Sequence, residues 1–414
     1  MPDAAASSPS PILFARQPIF DAAREIVAFE LLFRPTNGGP MPSPFDGDRA
    51  TSTVLLNAFT QSDLESVSHG RPLYVNFTGE TLTHELPFAP SQLVIEILED
   101  TPTDDSVRER LRALKAEGFT LALDDYTLPG GDHPFLGLVD IVKLEYPHYD
   151  DETFTQVVRR LRRDYPHLTI LAEKLESEHD LLRCQQAGCD LFQGYWLARP
   201  QLVHGRPMTS DRLAILQLIA TLNQPDVGVS DVTAAIARDP SLGVRIMRLV
   251  NTAQYQRRAR ITSLHHAVTM IGMQRIRSLA TLLALADMKD KPDSLQQLAL
   301  ARACLCKALA GHDSALAEKA FIAGLFSYLE AFFDQPMKAL IDSLPLHDAI
   351  AQALLTGEGP VGALLDTAIQ LENGTWSEIA WDRLAGLGID ALDVGAANQR
   401  ALRELNDLEA NAGL

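Results

Sequence analysis

The chain has 414 residues, 46% of them hydrophobic and 22% charged, with a formal net charge of −18. That length and apolar content suit two domains, each with a core of its own. The acidic balance argues against a nucleic-acid or anionic-membrane partner, because phosphate backbones demand basic surface.

No apolar run approaches the ~18 residues that cross a bilayer. The opening stretch "MPDAAASSPSP" lacks a basic flank followed by an apolar core, so it reads as a frayed tail and not a signal peptide. A cytoplasmic protein is expected. Cys184, Cys189, Cys304 and Cys306 have no zinc-like spacing and read as reduced core thiols.

From about Ile12 to Pro200 short apolar runs alternate with amphipathic stretches. "PILFARQPIF" and "REIVAFELLF" come first, joined by the polar turn "DAARE", and look like a hairpin. "RPLYVNF", "SQLVIEIL", "GFTLALDDY", "VDIVKLE", "HLTILAEKL" and "CDLFQGY" follow, with helical patterns such as Asp105–Glu117 and Asp151–Asp164 between them. Several runs are too apolar to have a wet face, as expected of parallel strands covered by helices. Eight such runs predict a (β/α)8 barrel with an irregular start, over 11–200.

"ARPQLVHGRPMT", with Pro200, Gly205 and Pro207, predicts a linker over 201–209. From Ser210 to the end, 210–414, the spacing is helical throughout and predicts an all-α domain. Ser230 and Asp239 stand where N-caps belong, and Pro240 at a first helical position. The pair "SDVTAAIARDPSLGVRIMRLVN" is similar in outline to a helix-turn-helix. Its apolar second helix (Leu242, Val244, Ile246, Met247, Leu249, Val250) is expected to pack in a core instead. Arg257, Arg258 and Arg260 read as a solvated basic loop, and Trp376 as a packing residue.

In a (β/α)8 barrel the chemistry sits at the carboxyl ends of the strands. Those ends carry Glu30, Asn76, Glu96, Asp124 with Asp125, Lys143, Glu173 and Gln193. Five carboxylates at one rim repel, each pair ~4 Å apart by up to roughly 4 kcal/mol at an effective dielectric of 20. One lysine cannot neutralise five acids, so some must hold protons or the site must bind cations. Hard oxygen donors without Cys or His favour Mg²⁺ or Mn²⁺. Two such ions would acidify a water and clamp a phosphate.

The series resembles the EAL domain, a cyclic-di-GMP phosphodiesterase fold. "FELLFR" stands at the family's signature. The resemblance makes Glu30, Asn76 in "YVNFT", Glu96 in "VIEILE", Asp124 and Asp125 metal ligands, and Arg34 a substrate-phosphate contact. Glu99 matches a glutamate that anchors the loop after the paired aspartates. Lys143 would meet the attacking water or the phosphate, Glu173 would be the general base or a second-metal ligand, and Gln193 would position the network. This chain departs from the family at Leu31, at "DDYT", at "LPGGDHP" (Leu128 to Pro134), at Glu145, and at Lys174, where a glycine is usual. Lys174 could hold phosphate, or pair with Glu173 and remove the need for a metal.

The helical half resembles the HDOD domain, a relative of HD-type metal phosphohydrolases. Phe326, Ser327 and Tyr328 stand where active HD enzymes carry His-Asp, and His265, His266 and His312 do not rebuild a metal site. Two readings follow from the resemblances. In one, the barrel hydrolyses cyclic-di-GMP to linear pGpG with Mg²⁺ or Mn²⁺, and the HDOD domain binds a regulatory protein. In the other, the barrel is catalytically silent and serves as a nucleotide receptor or docking scaffold. EAL barrels commonly pair, which implies a homodimer.

Overall fold

The structure is a computed structural model. It describes residues 12–35, 67–79, 81–83, 86, 88–98, 101–127, 133–198, 210–224, 227–251, 261–286, 288 and 291–412. The chain divides into two compact units, 1–199 with 371–377, and 200–370 with 378–414. The segment 201–209, Arg257, Arg258 and Arg260, and Glu99 lie outside the described residues, as does the side chain of Arg34.

In the first unit eight strands close a barrel in chain order. They are β1 (Ile12–Phe20), β2 (Ile26–Pro35), β3 (Leu73–Phe77), β4 (Leu93–Ile97), β5 (Thr120–Leu123), β6 (Ile141–Glu145), β7 (Thr169–Glu173) and β8 (Leu191–Phe192). β1 runs antiparallel to both β2 and β8, and every other neighbour pair is parallel. The first strand is therefore inverted, which is the irregular start that the hairpin pattern predicts.

Local chemistry sets the helix ends. α1 (Asp105–Glu117) is capped by Asp104, which accepts from Val107 N at 3.0 Å, and stops at Gly118 with φ 98°. α2 (Asp151–Asp164) is capped by Asp150 at 2.7 Å from Thr153 N and carries Arg162 and Arg163 in its last turn. α3 (Glu178–Ala187) is capped by Ser177, and the short α4 (Tyr195–Ala198) follows β8. Such caps contribute about 1 kcal/mol each, and basic residues in a final turn suit the helix dipole.

The barrel interior begins with an apolar layer. Ile19, Ala28, Tyr74, Val94, Ala122, Ile141 and Leu171 form one buried cluster, with Leu191 packed against it. Side chains on a strand alternate faces, so the next inward position along each strand lies two residues further on. That step decides the site.

The second unit is helical throughout its described residues. It comprises α5 (Ser210–Leu222), α6 (Val229–Ala237), α7 (Pro240–Val250), α8 (Leu264–Ile271), α9 (Met273–Ala286), α10 (Asp293–Leu309), α11 (Ser314–Phe326), α12 (Leu329–Phe333), α13 (Met337–Ser343), α14 (Asp348–Thr356), α15 (Gly359–Asn373), α16 (Trp381–Ala385) and α17 (Ala391–Ala412). The end of α15 and Trp376, which is half-buried, group with the first unit.

Asp239 caps α7, accepting from Ser241 N at 2.9 Å and Leu242 N at 3.1 Å, with Pro240 at the first helical position. Ser230 is not a cap. α6 starts one residue earlier, at Val229, and the Asp231 carboxylate accepts from Gly228 N at 2.9 Å. On α7 Leu242, Ile246, Leu249 and Val250 are buried, but Val244 is 54% exposed and does not join the core. α10 packs against α11 and α17. Gly324 on α11 sits so close to α10 that a Cβ there would lie 2.8 Å from Ala303 Cα.

Two buried polar knots hold this unit. Asp334 is sealed from solvent and receives Arg212 at 2.6 Å and Lys291 at 2.7 Å. Burial opposes its ionisation, but hydrogen bonds from Lys291 and Arg212 overcome that and hold its carboxyl below the usual range. Arg302, also buried, donates to Ser327 Oγ at 3.0 Å and to the Tyr328 hydroxyl at 2.8 Å, and lies over the Tyr328 ring. The stretch Phe326–Tyr328 is thus tied to a guanidinium. His265 and His312 are exposed and His266 is partly so. All four cysteines are buried, and none forms a disulfide. No helix among the described residues is long and apolar enough to cross a membrane.

Candidate functional site

Two residues beyond each member of the apolar layer stands a polar side chain. Ala28 leads to Glu30, Tyr74 to Asn76, Val94 to Glu96, Ala122 to Asp124, Ile141 to Lys143, Leu171 to Glu173 and Leu191 to Gln193. β1 runs the other way, so Ile19 leads back to Gln17, which is in register with Glu30. Every strand delivers one hydrogen-bonding or ionic group to the same level.

Lys143 occupies the middle of this ring. Its Nζ lies 3.2 Å from Glu30, 2.6 Å from Glu96, 2.8 Å from Asp124 and 2.9 Å from Glu173, and its side chain is 1% exposed. Burial alone would strip its proton, but Asp124, Glu173, Glu30 and Glu96 drive its pKa well above the ordinary lysine value. Three N–H vectors serve four carboxylates. Accordingly neither Glu96 oxygen receives a directed hydrogen bond, despite the short ion-pair distance.

The acids titrate unusually for the same reason. Burial raises Glu96 well above the carboxylate range, with Glu30 and Asp124 adding to the rise against Lys143. Burial likewise pushes Glu173 up to about 8, Lys143 opposing and Asp124 and Glu30 reinforcing. Asp125, half-buried, is raised by desolvation and by Asp124 beside it.

The connections after the strands fix these groups. Asp124 N donates to Ile97 O at 2.9 Å and Tyr126 N to Lys143 O at 3.1 Å, which ties the turn after β5 to β4 and β6. Asp125 takes φ 44° in that turn. Gly194 lies so close to Leu175 that a Cβ would stand 2.3 Å from Leu175 N. This approach holds Gln193, whose Nε2 donates to Glu30 Oε2 at 2.6 Å and to Gln17 Oε1 at 3.1 Å. Sequence reasoning missed Gln17. Its signal was a polar residue in the middle of an apolar hairpin strand.

Lys174, φ 57°, does not pair with Glu173. It forms an ion pair with Glu145, a buried carboxylate that also takes His148 Nδ1 at 2.7 Å. The open side of the ring is a cavity of about 420 Å³, lined among others by Glu30, Asp124, Asp125, Glu145, Glu173 and Lys174.

The donors fit a divalent cation. Asn76 Oδ1 is buried without a hydrogen-bond partner, as are both Glu96 oxygens. Asp124, Asp125 and Glu173 each offer an oxygen within 4.8 Å of the others, the sole such group among the described residues. An uncompensated buried acceptor costs about 1–3 kcal/mol, and oxygen-only donors suit hard ions.

A closed eight-stranded barrel with an acidic carboxyl rim, in a chain that also folds an all-helical unit, defines the class of protein. Residues 12–200 match the EAL domain and residues 210–333 the HDOD domain. A Vibrio cholerae protein named cyclic di-GMP phosphodiesterase CdgJ is 31% identical over 385 residues, 92% of this chain and 89% of that one. The uncharacterized protein YuxH of Bacillus subtilis is 30% identical over 379 residues, 88% of this chain and 91% of that one. The chain belongs to the EAL–HDOD family. Among solved structures it is similar to Klebsiella pneumoniae BlrP1 in a calcium/cy-diGMP complex, at 24% identity and TM-score 0.37. That match covers 47% of this chain and 57% of the other, little more than half its length.

Proposed function

We propose that the barrel, residues 11–200, hydrolyses cyclic-di-GMP to linear pGpG, and that 210–414, joined through 201–209, is a protein-interaction module. One observation carries this reading: the ring of buried acids around Lys143, combined with an Asn76 Oδ1 that is buried without a hydrogen-bond partner. The name of the Vibrio cholerae relative points the same way.

Glu30, Asn76, Glu96, Asp124 and Asp125 would hold Mg²⁺ or Mn²⁺. Bound there, divalent ions would supply Lewis acidity and an acidified water. Glu173 is the general base in this reading, and divalent ions beside it would favour its ionised form, ready to take a proton. Lys143 orders the acids that it holds at 2.6 to 3.2 Å. Gln193 holds Glu30 in place. Arg34 contacts the substrate phosphate, and Glu99 anchors the turn after Asp125. The partners are then cyclic-di-GMP, a regulatory protein on the helical module, and a second copy of the chain.

The test is incubation of the purified protein with Mn²⁺ or Mg²⁺ and cyclic-di-GMP. Linear pGpG is the expected product, and its absence at micromolar enzyme removes the reading. A second reading, a silent nucleotide receptor, is favoured by one feature. Lys143 and Lys174 already neutralise much of the acidic rim from within. Nucleotide binding that survives EDTA, without product, would establish it.

A further inference from the structure

The pocket is strongly acidic, yet the ligand proposed for it carries two phosphodiester anions. Two lysines line it among the described residues. Lys143 is sealed and engaged by four carboxylates. Lys174 is different: its side chain is 61% exposed, while its partner Glu145 is 3% exposed. A fixed positive charge therefore stands at the mouth of the cavity, tethered from below by a buried carboxylate. Glu145 is itself held on its other oxygen by His148.

The backbone points to function as well. Lys174 occupies φ 57°, where a non-glycine residue costs roughly 1–2 kcal/mol. Neither side of that cost is recovered by core packing, because the side chain is largely in solvent. Glu173, the adjacent residue, takes its own cation from Lys143, so Lys174 is not needed to neutralise it.

We propose that Lys174 is a substrate-binding residue whose ammonium, positioned by Glu145, engages a phosphodiester oxygen of the incoming cyclic dinucleotide at the pocket mouth. This rests on the reading of the barrel as a cyclic-di-GMP site. It also gives the pocket an anion-attracting element that neither the acid ring nor the metal-holding groups supply.

The experiment compares wild-type full-length protein with Lys174→Gly and Lys174→Arg. Affinity for cyclic-di-GMP is measured by calorimetry in Ca²⁺, steady-state rates are measured in Mn²⁺, and both are repeated across salt concentrations. Loss of one charge-assisted contact predicts that Lys174→Gly raises Kd and KM by about tenfold while kcat moves less. Its affinity falls less steeply with salt than that of wild type. Lys174→Arg keeps affinity within about threefold, because the charge is retained. Glycine is at ease at this φ but leaves buried Glu145 with His148 alone, so melting temperatures are recorded for both variants and affinities are compared where each is fully folded. An unchanged Kd in Lys174→Gly, or a loss of affinity that tracks a loss of stability, overturns the proposal and leaves the cyclic-di-GMP reading standing. Wild-type protein that neither binds nor cleaves the dinucleotide overturns both.

Discussion

Lys143 and Glu96 meet at 2.6 Å inside the barrel, and neither side chain is more than 1% exposed. Such a pair is not a simple gain in stability, because removing both charges from water offsets much of their attraction. Its value lies in what happens when one member is removed. Lys143→Met would leave Glu30, Glu96, Asp124 and Glu173 facing one another without a cation. Chemical denaturation in EDTA should register a loss of roughly 3–5 kcal/mol, and Mn²⁺ should restore part of it. A variant as stable as wild type in EDTA contradicts the placement of this charge.

The raised Glu173 carboxyl makes stability depend on pH with a definite sign. Its folded value of about 8 lies above its unfolded value of 4.5, so between these limits the folded state holds a proton that the unfolded state has lost. Stability therefore falls as pH rises from about 5 to 8. Glu96 and Asp125, also raised, act in the same direction. Without divalent ions, melting temperature should decline across that window, and Glu173→Gln should flatten the decline. A slope identical in the two proteins would exclude Glu173 as its source.

In the helical unit the Asp334 knot should be costly to cut. Asp334→Asn keeps the volume but removes the charge that Arg212 and Lys291 share, so a loss of about 3–5 kcal/mol is expected. The exposed pair Lys338–Asp342, with side chains 78% and 62% exposed, is the control. Asp342→Asn should change stability by no more than ~0.5 kcal/mol. Comparable losses in the two variants would show that burial is not what matters at Asp334.

Gly194 offers a purely steric test. A methyl group there would stand 2.3 Å from Leu175 N and 2.4 Å from Leu175 O. Gly194→Ala must push β8 away from the turn after β7, at a cost of roughly 1–3 kcal/mol. It should also displace Gln193 from Glu30, so activity falls by more than stability explains. Full activity in a folded Gly194→Ala protein would sever that link.

Much of the barrel was legible because its strands are short, apolar and punctuated, and because one polar residue interrupts each run. Glu30, Asn76, Glu96 and Lys143 lie two residues beyond inward apolar positions, which is visible once strand alternation is applied. Gln17 escaped because β1 is inverted, so its polar residue precedes the apolar one. The partner of Lys174 could not be read from chain order. Glu145 reaches it only because β6 and β7 are neighbours with Glu145 beside Glu173 in register. In the helical unit, Gly228 and not Ser230 precedes α6, and the Asp231 carboxylate reaches back to the Gly228 N–H, so Ser230 lies inside the helix. Val244 followed the apolar pattern of α7 but faces solvent. Periodicity identifies a helix more reliably than it tells which neighbour, if any, covers each face.

The apolar layer beneath the ring has a kinetic meaning. Ile19, Ala28, Tyr74, Val94, Ala122, Ile141 and Leu171 plug the barrel from below, each no more than 6% exposed. Among the described residues this layer closes the cup from below. A ligand that enters the cup from its open side leaves by the same doorway.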